Sequence, residues 1–393
     1  MICGLLLVAA GIWVGARHAS YLPDPIADVL AGDDSTRVVN EALGKIEDRY
    51  YRKIPRERLA DDAIAGAVTE LRDRFSSYFT PAEYKRFTEA TNSRFTGIGV
   101  TVSQHPRGLR VEQVFDGSPA KRAGIVRGDL IVAVGSRSLK GMTSERSSNL
   151  IRGPEGTGVA ITVSHAGEEK ELNLTRSAVS VPVVASTLRE VCGRKVGVVA
   201  LSQFSSGAHG EVYAALRKLD KRGADAYVLD LRGNGGGLVD EAQLVASAFL
   251  RDGPIVTTRG RSVPERTLKA VGDLVVPKAP VVVLVDRATA SASEIVAGAL
   301  QDRQRAKLVG SRTFGKGVFQ EVIELANGGA LDITAGQYFT PKGRNLGGRG
   351  VQTGTGLKPD VVAHDDAKTS ADEQLRAALE TVVLEAGCRR GAA

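Results

Sequence analysis

A chain of 393 residues with 42% hydrophobic and 25% charged side chains has the composition of a folded protein of two or three domains. Its net charge of +7 comes from arginines and lysines spread along the whole length. There is no block of like charge and no basic stripe interleaved with aromatics, which argues against nucleic acid as a partner. Five histidines, none paired at metal-ligand spacing, argue against a metal site and against a Ser-His-Asp triad, and no cofactor motif is present.

Residues 2–16 (ICGLLLVAAGIWVGA) are uncharged and apolar, but fewer than the roughly 20 that a spanning helix needs. The expectation is export: either a signal segment cleaved at small residues near Ala16 and Ala19, or an uncleaved membrane anchor. The body then lies outside the cytoplasm, tethered to the cell membrane or, after cleavage, secreted or periplasmic. Residues 17–33 read as a linker. In an oxidising compartment Cys192 and Cys388 either form a disulfide or remain separate thiols.

Apolar positions at Val38, Val39, Ala42, Leu43 and Ile46 predict a helix over residues 35–51. A second is predicted over 55–74, with Leu59, Ile64, Val68 and Leu71 inward, and a third from the Thr80-Pro81 cap. This N-terminal helical region, residues 34–93, carries no chemistry.

Over residues 94–178 the pattern changes to short strands divided by glycine turns, with two alternating strands across His165-Ala166-Gly167. The G-I-G-V loop from Gly97 to Val100, the D-G-S-P-A-x-x-A-G-I turn and helix at 116–125, and G-D-x-I-x-x-V at 128–134 together resemble a PDZ domain. That resemblance implies a carboxylate-binding loop, in which Gly97, Ile98, Gly99 and Val100 hold the C-terminus of a protein substrate added as a strand to the sheet edge.

Residues 179–366 read as α/β. Strands at 196–201, 226–231 and 281–285 each lead into a helix, so a mostly parallel sheet should carry its site at the strand carboxyl ends. Residues 322–325 and 330–335 predict a hairpin across Asn327-Gly328, and residues 367–393 a charged helix and tail. Gly310 to Lys316 fits seven positions of a P-loop, but Gly317 replaces the hydroxyl residue and a strand follows where a helix is required.

Ser291 and Ser293 stand on the turn into an apolar helix, and Lys316 lies among glycines and apolar residues. A hydroxyl and a lysine kept neutral by an apolar setting are the parts of a Ser-Lys nucleophilic site. Gln320, two strand repeats beyond Lys316, should share its face and accept its hydrogen bond. The N–H of Ala292 and a glycine of the Gly233–Gly237 loop would face a developing oxyanion. Ser291-Ala292-Ser293-Glu294 is equally a capping box, which needs no catalytic role.

These segments are similar to the carboxyl-terminal processing proteases, on FSSYFT at 75–80, DLRGNGGG at 230–237, TASASEIVAGALQD at 289–302, VGSRTFGKG at 309–317 and ITAGQYFTPKGRNL at 333–346. The resemblance implies a multidomain α/β protein, with a ClpP/crotonase-like mixed-sheet protease core, an inserted β-rich PDZ domain and the N-terminal helical region. It implies Ser291 as nucleophile, Lys316 as general base and Gln320 as the group that orients it. Ala292 and either Gly235 or Gly236 would form the oxyanion hole, since Asn234-Gly235 stands where many relatives have Asn-Pro. Its implied partners are protein substrates held by their C-termini, with an adaptor protein and a homo-oligomer as further expectations. An inactive PDZ scaffold and a hydrolase of small esters or wall peptides are the rival readings.

Overall fold

A computed structural model describes residues 34–92, 94–348, 355–366 and 369–388. The predicted signal or anchor segment lies outside the described residues. Among the described residues no helix is long and apolar enough to cross a membrane. The chain divides into a smaller unit ending at Thr80 and a larger one from Pro81 onward.

The smaller unit contains α1 (Asp34–Arg49), α2 (Arg56–Glu70) and β1 (Ser77–Phe79). Residues of α1 are all at least partly exposed, and α2 buries only Leu59 and Val68. The expectation that Leu71 faces inward is wrong: it is 60% exposed. The helix stops at Glu70, Leu71 is its C-cap, and Arg72 turns the chain with a φ of 54°. The apolar stripe therefore ends one turn before the sequence suggested.

The larger unit begins with α3 (Pro81–Thr91) and β2 (Arg94–Gly97). Then come β3 (Val100–His105), β4 (Gly108–Val114), α4 (Pro119–Arg122), β5 (Leu130–Val134), β6 (Arg137–Ser138), α5 (Ser144–Ile151), β7 (Gly158–His165) and β8 (Glu168–Thr175). These form one module, its sheet ordered β3-β4-β5-β7-β8 around a core that includes Ile98, Leu109, Ile131, Leu139 and Ile161. Strand β9 (Ser177–Ser180) pairs antiparallel with β2, so the chain enters and leaves the module through two paired strands. That pairing makes it an insertion.

The remaining elements are β10 (Val184–Val191), β11 (Arg194–Leu201), α6 (Ala208–Lys221), β12 (Ala226–Asp230), α7 (Val239–Ser247), β13 (Pro254–Gly260), β14 (Arg266–Lys269) and β15 (Val281–Val285). They continue with α8 (Ala292–Asp302), β16 (Lys307–Gly310), β17 (Val318–Glu324), β18 (Ala330–Phe339), β19 (Val361–Val362) and α9 (Glu373–Glu385). The main sheet runs β10-β11-β12-β15-β16-β19; only β10 is antiparallel to its neighbour. A second, antiparallel sheet contains β17, β18, β13 and β14 in that order of pairing.

Every residue of β15 is buried because both faces of the sheet are covered. Val281, Val283 and Val285 join the core with α6, α7 and α8, while Val282 and Leu284 pack on the α9 side with Ala378 and Val382. A disulfide joins Cys192, in the turn between β10 and β11, to Cys388 just past α9, with the two Cα atoms 6.5 Å apart. The sequence left that pairing open.

Candidate active site

Parallel pairing of β12 with β15 brings the loops after Asp230 and Val285 to one edge of the sheet. The first loop is pinned by Asn234, which is fully buried. Its Nδ2 donates to the Leu201 carbonyl at 2.8 Å, its Oδ1 accepts from the Gly236 N–H at 2.9 Å, and its own carbonyl accepts from the Ala290 N–H at 3.1 Å. An alanine at Gly236 would place its Cβ 2.8 Å from the Ser291 Cβ and 2.9 Å from the Ala292 nitrogen. The glycine loop and the serine turn are therefore in contact, and only a residue without a side chain permits it.

Ser291 has φ 55° and ψ −119°. Ordinary N-caps in this chain look different: Ser118 and Thr143 are extended, with ψ of 160° and 151°, and their hydroxyls accept from the N–H three residues on. Ser291 keeps the backbone attributes of a cap, its carbonyl accepting from the Ile295 N–H at 2.9 Å and its N–H donated to Glu294 Oε2 at 3.0 Å, but not the extended backbone of the other two. A non-glycine residue at positive φ is costly and persists where the surroundings impose it, as they do here. Ser293, the rival nucleophile, is fully buried and its Oγ donates to the Asn234 carbonyl at 2.9 Å. It is a structural hydroxyl.

Lys316 lies on the turn before β17 and is half-buried. Its Nζ donates to Gln320 Oε1 at 2.6 Å, and Gln320 Nε2 donates to Thr334 Oγ1 at 3.1 Å, which fixes the amide so that oxygen meets the lysine. Glu294 ties the two halves together. It is completely buried and accepts from the N–H groups of Ser291, Gly315 and Lys316 and from the Thr313 hydroxyl. Burial pushes its carboxyl above the usual range, and the four donors oppose that. Sequence reading saw Glu294 only as half of a capping box; nothing in the spacing showed that a turn 22 residues away would share it.

Gly97 to Val100 lie apart from these residues, in the inserted module. The carbonyls of Ile98 and Gly99 accept from Ala120 and Phe115 at 2.8 and 3.0 Å, whereas the N–H groups of Ile98 and Gly99 have no acceptor among the described residues. They open on a groove of about 370 Å³ between β3 and α5, lined by Ile98, Val100, Val102, Ile151 and Arg152. Gly99 has φ 84° and a Cβ there would fall 2.2 Å from that of Ser118, so the loop admits only glycine. The groove is apolar along its length, with free N–H donors and one guanidinium at its edge.

An α/β core with a serine on a strained strand-to-helix turn, a lysine held by an amide, and an inserted module with a donor-lined groove define a serine peptidase carrying a peptide-recognition domain. Two family models match accordingly: peptidase family S41 over residues 195–363 and a PDZ domain over 96–175. The chain is 34% identical to a carboxyl-terminal-processing protease from Synechocystis over 85% of its own length and 80% of the relative's. It is also 34% identical to a probable CtpA-like serine protease from Staphylococcus aureus, over 92% of this chain and 71% of that one. The solved structure of a photosystem II D1 C-terminal processing protease superposes with a TM-score of 0.51 at 28% identity, covering 87% of this chain and 96% of that one. The chain belongs to the carboxyl-terminal-processing protease family, serine-type peptidases with a PDZ domain.

Proposed function

We propose that this peptidase binds the free C-terminus of an unstructured protein in the PDZ groove and cleaves upstream of it with Ser291 and Lys316. The observation that carries this is the single carboxylate, Glu294, on which the backbones of both residues converge. Neutral Lys316 takes the proton of the Ser291 hydroxyl as Oγ bonds to the scissile carbonyl carbon. The resulting oxyanion is met by the Ala292 N–H at the start of α8 and by a glycine N–H of the 233–237 loop. Collapse breaks the C–N bond, and the Lys316 ammonium returns the proton to the departing amine. Water then attacks the acyl carbon, again giving its proton to Lys316; collapse breaks the C–Oγ bond, the ammonium returns that proton to Ser291 Oγ, and the product acid leaves and ionises. Gln320 keeps the amine aimed throughout.

The free Ile98 and Gly99 N–H groups suit a terminal carboxylate, and Arg152, whose guanidinium has no partner among the described residues, supplies charge beside them. Phe95, Arg152 and Val181 also line a second cavity that reaches Pro182, Ser202 and Gln203, next to Phe204 and the glycine loop. A bound C-terminus is thereby led toward the catalytic edge, and the paired β2 and β9 are the joint about which the module would respond to it. The disulfide fits a body folded outside the cytoplasm, held at the membrane by the N-terminal segment or released from it. An adaptor and a homo-oligomer belong to the same reading.

The test is one assay on an unstructured protein with a free or amidated C-terminus, using wild type, Ser291→Ala and Lys316→Ala. Cleavage should require both side chains and fall at least about tenfold on amidation. Cleavage that survives either substitution overturns the dyad; indifference to amidation overturns C-terminal recognition.

A further inference from the structure

The hairpin of β17 and β18 carries three carboxylates that the mechanism above does not use, Glu321, Glu324 and Asp332, and Asp332 stands beside the groups that hold the lysine. In its register Gln320 stands opposite Thr334 and Val322 opposite Asp332. Side chains alternate along a strand, so Asp332 and Thr334 share the face to which Gln320 belongs. Since Lys316 Nζ is 2.6 Å from Gln320 Oε1 and Gln320 Nε2 is 3.1 Å from Thr334 Oγ1, Asp332 lies one strand repeat from the groups that hold the lysine. It is half-buried, and no side-chain hydrogen bond or ion pair joins its carboxylate to another group among the described residues.

The other charged groups around this face are already committed. Glu324, further along the same face of β17, accepts from the Tyr84 hydroxyl of α3 at 2.7 Å. Glu294 of α8 is held by its four donors. Glu321 stands opposite Ile333, on the reverse face. Arg259 of the neighbouring β13 pairs with Glu265, and Arg344, beyond β18, pairs with Asp302. Asp332 is left with the lysine: burial pushes its carboxyl above the usual range, and the charge of Lys316 opposes that.

We propose that Asp332 is a positioning residue acting through charge, holding Lys316 as an ammonium and so setting the pH above which the dyad works. The proposal rests on the reading of Lys316 as the base. A nearby carboxylate favours the charged form of a lysine, and a general base must be neutral. Asp332 is therefore a restraint on catalysis, not a contributor to bond breaking.

The experiment is the pH profile of kcat/KM between about pH 6 and 10 on an unstructured protein with a free apolar C-terminus, for wild type, Asp332→Asn, Asp332→Glu and Lys316→Ala. D332N should move the acidic limb to lower pH by about 0.5 unit or more, a gain of about threefold at a fixed pH on that limb. D332E should keep the wild-type limb. A limb unmoved in D332N, a D332E limb displaced like that of D332N, or a folded but inactive D332N each overturns the proposal. Should D332N not fold, Asp332→Ser is read by the same criteria. If K316A is as active as wild type, the base assignment itself has failed; if K316A is inactive and the limb is unmoved, only the role of Asp332 falls.

Discussion

Ser291 and Lys316 present their backbone N–H groups to the same oxygen of Glu294, at 3.0 and 2.9 Å, which puts the two nitrogens within about 6 Å of each other. Residues 25 positions apart are thus positioned by one buried carboxylate in place of a direct bond between them. Whichever way an amide were oriented at this position, its NH₂ would face a backbone N–H. Glu294→Gln should lower kcat/KM by about 100-fold through misplacement and stability by about 1–3 kcal/mol through unpaired donors. Kinetics with chemical denaturation checks both; a wild-type rate in folded E294Q removes Glu294 from the positioning role.

The glycine loop makes a sharper prediction. Gly236 touches Ser291 and Ala292, whereas a side chain at Gly235 meets open space. Gly235→Pro removes one N–H, and its rate should stay within about threefold of wild type if the Gly236 N–H leaves Asn234 to meet the oxyanion. Gly236→Ala should lose about 100-fold or more. An inactive, folded G235P would assign the donor to Gly235 instead.

Arg232 opens that loop and is bidentate to Asp372, the N-cap of α9, at 2.7 and 2.9 Å, while also contacting Asp230. The glycine loop is therefore braced by the C-terminal helix. Arg232→Ala should cost about 1–3 kcal/mol, the pair being partly exposed. The Arg232 hydrogen bond holds Asp372 below the usual carboxylate range, so its contribution is present above the unfolded carboxyl pKa of about 4 and lost as pH falls through the lower folded value. The stability gap between wild type and R232A, measured by denaturation from pH 7 to 3, should shrink in that acidic window. A constant gap contradicts the ion pair.

The disulfide closes a loop with a sequence separation of 196 residues around the main sheet. Replacing either cysteine with serine should cost about 2–5 kcal/mol while leaving cleavage at low temperature intact, because neither cysteine touches the site. Non-reducing peptide mapping should recover Cys192 and Cys388 in one linked fragment. Two free thiols in the exported protein would refute the bridge.

Local sequence carries the elements and most of the reacting groups. Five apolar residues at 281–285 read as a buried strand, DLRGNGGG as a strand running into a glycine loop, and the G-I-G-V loop within its module as a set of carboxylate-binding N–H groups. Gln320 was legible from strand alternation, and its bond to Lys316 is present. Strands β13 and β14 were not legible: β13 mixes buried Ile255 and Val256 with Thr257, Thr258 and Arg259, β14 is four residues long, and the pairing of β13 is supplied by a distant β18.

Whether Ser291 was a cap or something more could not be read from S-x-x-E, because that pattern is satisfied by either. The backbone sets Ser291 apart from the other caps of this chain: its positive φ and the glycine wedged against it are long-range constraints with no local signature. The same holds for Glu294, Asn234 and Asp332. Their roles depend on which loops the parallel sheet and the β17–β18 register bring together, and sequence periodicity reports faces, not neighbours. Sequence by itself determined which chemistry this protein carries. Tertiary structure alone decided how the serine and the lysine are brought together, because the buried carboxylate that joins them serves residues distant in the chain.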